Sequence, residues 1–164
     1  EVVPGLHLWQ LATYAWLHDL NGLSHILFNC MGLYFLGPML ERRWGGGNFL
    51  RFYVLTGIIA GLVSVLVGVL FGGRWDVPIV GASGALFALL LGFGMLFPNR
   101  IIMPLFPPIP MKAKIFVAVF GALELVFGFL GSGGVAHFAH LGGMLGGFLM
   151  IRYWRGQAPF SRRR

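Results

Sequence analysis

Val80 to Phe97 reads VGASGALFALLLGFGMLF, an apolar run with no ionised side chain and one hydroxyl, Ser83, near the glycines at 81 and 84. A run of this length either crosses a bilayer or lies in the middle of a large core. The rest of the chain decides between them. Only 10% of the 164 residues are charged and 57% are hydrophobic, whereas a soluble domain carries about 25% charged residues. Such a chain cannot cover its own surface in water. The expected class is therefore an all-α, polytopic membrane helix bundle. The 26 glycines fit that class, because membrane helices approach closely through small residues. Cys30 is the single cysteine. It excludes an internal disulfide and reads as a small packing residue.

The pattern gives five spanning helices, at Ser24–Leu40, Asn48–Phe71, Gly81–Phe97, Ala113–Leu130 and Val135–Tyr153. Each is near the ~17–25 residues needed to cross hydrocarbon. Turn formers fill the connections: GGGN at 45–48, GGRWDVP at 72–78, PNRIIMPLFPPIP at 98–110 and GSGG at 131–134. With no long linker and no internal repeat, 1–164 reads as one domain. It comprises an outer interfacial loop at 1–23, the bundle at 24–153 and a basic tail at 154–164.

The net charge of +7 is a topology signal. If five helices alternate, every basic residue except Arg74 falls on one side, and the positive-inside rule makes that side cytoplasmic. The SRRR tail then meets anionic lipid. A nucleic-acid role is excluded, because the basic residues are spread over separate loops and form no single patch. Residues 1–23 fall outside and carry Trp9, Tyr14 and Trp16, residue types that favour the membrane–water interface. A chain that starts outside needs an earlier crossing, so a helix is expected to precede Glu1.

Polar residues gather near the outer ends of three of these helices. His25 and Asn29 lie on the first, Ser83 on the third, and His137 and His140 on the fifth. At a rise of about 1.5 Å per residue they sit roughly 3–8 Å below the helix starts. Ionisable groups at that depth are costly and mark function. His25 and Asn29 are four apart and share a face. A neutral His140 beside Ser83 would activate its hydroxyl. His25, the Asn29 amide and the Ser83 backbone N–H are the donors available to an oxyanion. Asp19 and Asp76 fall in outer loops, and Glu124 sits in mid-helix, too deep to reach the others, with a structural role. The site therefore reads as a Ser–His dyad without an acidic third member. GASG is not the G-x-S-x-G elbow of soluble hydrolases, since Ala85 stands where that pattern has glycine. Gly143 and Gly147 form a G-x-x-x-G face that would press the His140 helix onto the serine helix. His137, three residues before His140, invites a metal reading. H-E-x-x-H is absent, however, so no metal is expected and His137 lines the wet cavity.

Four pieces in order, LHDLNGLSHILFN, GPMLERRWG, GASG and AHLGGMLGG, resemble the rhomboid intramembrane serine proteases. The resemblance runs from about residue 8 to 153. It implies a six-helix core, lacking its first helix here, with a site open to the outer aqueous side. By the same resemblance Ser83 is the nucleophile and His140 the general base, while His25, Asn29 and the Ser83 N–H form the oxyanion hole. Residues 1–23 match the family's first loop. Ala113–Leu130 and GSGGVA at 131–136 would gate substrate entry. Ala82 stands where family members vary.

The resulting expectation is an intramembrane serine endopeptidase without cofactor, acting on transmembrane protein substrates within the lipid bilayer. Its membrane would be a bacterial-type plasma membrane, with the site outside and the C-terminus cytoplasmic. Substrates should carry Gly, Ala or Pro near the cut, because an intact helix hides its carbonyls; the resemblance adds a small residue before the cut. The alternative is a catalytically inactive rhomboid-like chaperone or adaptor that binds membrane helices, a kind of relative that typically lacks the dyad. A transporter would need inverted repeats or a polar path across the bilayer, and here the polar groups stop in the outer third, Glu124 apart.

Overall fold

The computed structural model describes residues 7, 9–18, 23–71, 80–105, 107–130 and 134–160. Residues 1–6, 8, 19–22, 72–79 (with Arg74 and Asp76), 106, 131–133 and 161–164 lie outside the described residues.

A short helix, α1 (Gln10–Thr13), runs into a single 3-10 turn at Tyr14–Trp16. The long helices follow: α2 (Leu23–Trp44), α3 (Gly46–Leu70), α4 (Ser83–Leu96), α5 (Ala113–Leu130) and α6 (Gly134–Trp154). Two differences from the sequence reading have clear causes. The GGGN turn shrinks to one residue. Gly45 alone takes a left-handed conformation, φ +80°, which glycine adopts without a Cβ penalty, so α2 and α3 both run up to it. The 98–110 loop also holds a small antiparallel pair, β1 (Ile101–Ile102) and β2 (Met111–Lys112), with Ile101 opposite Lys112. Strands of two residues have no readable period.

Packing separates two inner helices from three outer ones. α4 contacts α2, α3, α5 and α6, and α6 packs against α3, α4 and α5. Nine of the fourteen residues of α4 are buried. On α2, α3 and α5 large apolar side chains point outward instead, among them Phe28, Phe35, Leu62, Leu66, Val119 and Phe129. Water does not tolerate such continuous apolar surface on a monomer; lipid does. α2, α3 and α5 are long and apolar enough to cross a membrane. α4 is apolar but only 14 residues long, about 21 Å at the helical rise. Cys30 is exposed on α2 rather than filling a packing contact, which corrects the sequence reading: the outward face of an outer helix places no demand on residue size.

The α4–α6 contact is the tightest in the bundle. A Cβ on Gly143 would fall on the carbonyl of Gly84, and one on Gly147 would come within 3.1 Å of Ala88 and Phe52. The larger core side chains, Leu40, Phe52, Leu89, Phe93 and Ile151, collect towards the opposite end of α4 from Ser83. One end of the bundle is thus filled with bulk and the other with small and polar residues.

Gly143→Ala should force α6 off α4 and destabilise the fold by about 1–3 kcal/mol, lowering the thermal unfolding temperature in detergent. Gly47→Ala, where a Cβ meets nothing within 4 Å, should leave that temperature unchanged or raise it.

Candidate active site

Ser83 is the first residue of α4. The chain reaches it through Gly81, whose φ of +109° excludes other residues without strain. A Cβ at Gly81 would also lie 2.6 Å from His25 Nε2 and 3.5 Å from Asn29 Nδ2. His25 and Asn29 therefore line the turn two residues before the serine. The His18 ring lies near that of His25, tilted by 57° with centroids 5.4 Å apart. The Gly81 N–H donates to the Tyr14 carbonyl at 3.0 Å, and the Tyr14 hydroxyl donates to Gly57 O at 2.8 Å. Burial, with Tyr53 acting in the same sense, pushes the Tyr14 phenol up to about 12, so it stays a donor. Tyr14 thus ties the segment before α2 to α3 and to the turn that presents Ser83.

His140 meets Ser83 from α6. Its Nε2 lies 2.8 Å from Ser83 Oγ. The Phe87 ring, one turn along α4 from Ser83, stacks on the imidazole with centroids 4.2 Å apart and planes within 8°. Ring stacking and the hydrogen bond to Ser83 leave the imidazole little freedom.

Glu124 requires a correction. Far from being out of reach, its Oε2 accepts from His140 Nδ1 at 2.8 Å and from His137 Nδ1 at 2.7 Å. His137 accordingly faces a carboxylate rather than simply lining a cavity. Depth counted from the start of the helix fails here because Glu124 lies eleven residues from the start of α5 but only six from its end. A better signal was present. α5 and α6 form an antiparallel pair with a short connection, and Glu124 and His140 each lie six residues from it, at Leu130 and Gly134. Equal distances from the connection between two packed helices bring residues opposite one another.

Asn29 is 7% exposed, and its Nδ2 has no hydrogen-bond partner among the described residues. An unpaired buried donor is costly. It adjoins the Ser83 turn, where the first N–H groups of α4 also lack intrahelical acceptors. That corner sets the Asn29 Nδ2, unpartnered among the described residues, beside the N–H groups that begin α4.

Glu124, His137 and His140 are also the described residues that could hold a metal, each offering one ligand atom within 4.8 Å of the others. As placed, both imidazoles already point Nδ1 at one carboxylate oxygen at hydrogen-bond distance. Zinc at about 2.0–2.2 Å from each ligand would have to push these atoms apart.

An all-helical bundle that turns apolar side chains outward defines an integral, multi-pass membrane protein. Comparison with known proteins sharpens that class. The Rhomboid domain family model matches residues 5–157. RHOMBOID-like protein 4 of Arabidopsis thaliana is 34% identical over 157 residues, covering 92% of this chain and 35% of the relative. Rhomboid protease GlpG of Serratia proteamaculans is 32% identical over 152 residues, covering 91% and 49%. Rhomboid protease GluP of Bacillus subtilis is 31% identical over 147 residues, covering 85% and 25%. The chain belongs to the rhomboid family. It spans between a quarter and about half of the length of these three relatives.

Gly81→Ala should strain the turn into α4 and collide with His25, at a cost of about 1–3 kcal/mol. Thermal unfolding in detergent, compared with Gly47→Ala, measures it.

Proposed function

We propose that this protein is an intramembrane serine endopeptidase that cuts transmembrane protein substrates with Ser83 as nucleophile and His140 as general base. The observation that carries the reading is the 2.8 Å separation of Ser83 Oγ and His140 Nε2 across two packed helices. That is within proton-transfer reach. Family membership supports it, because relatives at this similarity are named as rhomboid proteases.

In the proposed cycle, His140 Nε2 takes the Ser83 proton as Oγ bonds to the substrate carbonyl carbon. The carbonyl oxygen becomes an oxyanion. Asn29 Nδ2, His25 and the Ser83 N–H receive it, and the buried Asn29 Nδ2, without a partner among the described residues, is the feature that suits this role. The protonated His140 then gives its proton to the leaving amine as the C–N bond breaks. Water, deprotonated by the same imidazole, releases the acyl group and restores the hydroxyl.

All five long helices are read as spanning, with the Ser83 end outside and the basic ends of α2 and α6 cytoplasmic in a plasma membrane of bacterial type. Substrates would be membrane helices unwound near their outer ends, since only there do carbonyls become free.

Ser83→Ala and His140→Ala should each abolish cleavage of a transmembrane reporter while the unfolding temperature holds. Asn29→Ala should lower kcat by roughly 10²–10³-fold. Fluorophosphonate labelling of wild type that requires Ser83 and His140 supports the protease. A folded wild type that neither labels nor cleaves would favour the inactive helix-binding relative.

A further inference from the structure

We propose that Glu124 is a positioning carboxylate for the hydrolytic pair, holding the Ser83–His140 dyad from a third helix; this rests on the protease reading above. The three links lie in sequence. Ser83 on α4 meets His140 Nε2 at 2.8 Å, and His140 Nδ1 on α6 meets Glu124 Oε2 on α5 at 2.8 Å. Both nitrogens of one ring are therefore engaged, from opposite sides and by different helices.

The chemistry follows from what a base needs. To accept the Ser83 proton, His140 must carry its own hydrogen on Nδ1 and leave the Nε2 lone pair free. A carboxylate oxygen at Nδ1 accepts only from an N–H, and so selects that tautomer. When the Ser83 proton arrives, the ring becomes a cation with N–H groups at both nitrogens. The Glu124 charge stabilises it there, from a carboxylate whose side chain is only 12% exposed. Glu124 itself neither gains nor loses a proton through the cycle.

Burial argues that this carboxylate has a purpose. The side chain of Glu124 is 12% exposed, against 18% for His140 and 27% for His137. A charge placed inside a membrane helix is expensive and is kept for function. A pure helix staple between α5 and α6 needs only one imidazole, and His137 supplies it at 2.7 Å. The second bond, to the ring that faces Ser83, is what a staple does not explain. Sharing one oxygen between two donors also fixes the carboxylate, so Oε2 cannot swing away from His140.

The test compares full-chain wild type with Glu124→Gln, Glu124→Asp and His137→Ala in detergent, using a transmembrane reporter for kcat and KM and thermal unfolding for the fold. Glu124→Gln keeps shape but not charge. Its kcat should fall roughly 10- to 1000-fold, with KM changed by less than about threefold and the unfolding temperature close to wild type. Glu124→Asp should recover part of the lost turnover. His137→Ala should lower kcat less than Glu124→Gln does, because the His140 link remains. The proposal is overturned if Glu124→Gln cleaves as wild type does, or if turnover in all three variants merely follows the loss of stability. It is also overturned if the amide variant matches Glu124→Asp. Wild type that fails to cleave would instead remove the protease reading itself.

Discussion

The contact of α4 with α6 governs the rest of this molecule. The two backbones approach until a Cβ on Gly143 would fall on the Gly84 carbonyl. No side chain separates them there, so Ser83, next to Gly84, and His140, one turn before Gly143, are brought to hydrogen-bond distance. Hydrophobic burial does not drive helices together in lipid, where tails are as apolar as leucine. Close packing and polar contacts do, and this interface has both. Large residues are relegated to the other end of α4, where Phe52, Phe93 and Ile151 fill the bundle.

Much of this was legible in the amino-acid order. The apolar runs located the helices, since spanning length is a strong signal. The G-x-x-x-G face named α6 as the partner of α4, and Gly143 sits against Gly84. Ser83, His140, His25 and Asn29 stood out as polar groups in apolar surroundings. What escaped were features without period or with register set by tertiary structure. The β1–β2 pair has two residues per strand. The α2–α3 turn depends on a single positive φ at Gly45. Glu124 looks too deep when counted from the start of its own helix, eleven residues away. The relevant measure was its distance from the α5–α6 turn, which matches that of His140.

Tyr14 shows how the periphery reaches the centre. It lies before the first long helix, yet its hydroxyl binds the Gly57 carbonyl on α3 and its own carbonyl takes the Gly81 N–H. The turn that carries Ser83 is thereby held from the segment before α2 as well as from within the bundle. His25 and Asn29, on α2, close the same turn from another side.

The dispersal of the polar groups along the chain also bears on biosynthesis. Asn29 emerges from the ribosome early, Ser83 midway, Glu124 later, and His140 on the last long helix. On the proposed reading the nascent chain has no activated hydroxyl until α6 has entered the membrane and seated its glycine face. A half-inserted or mispacked copy would then be inert toward its neighbours. Proteolytic competence would serve as a built-in report that membrane insertion has finished.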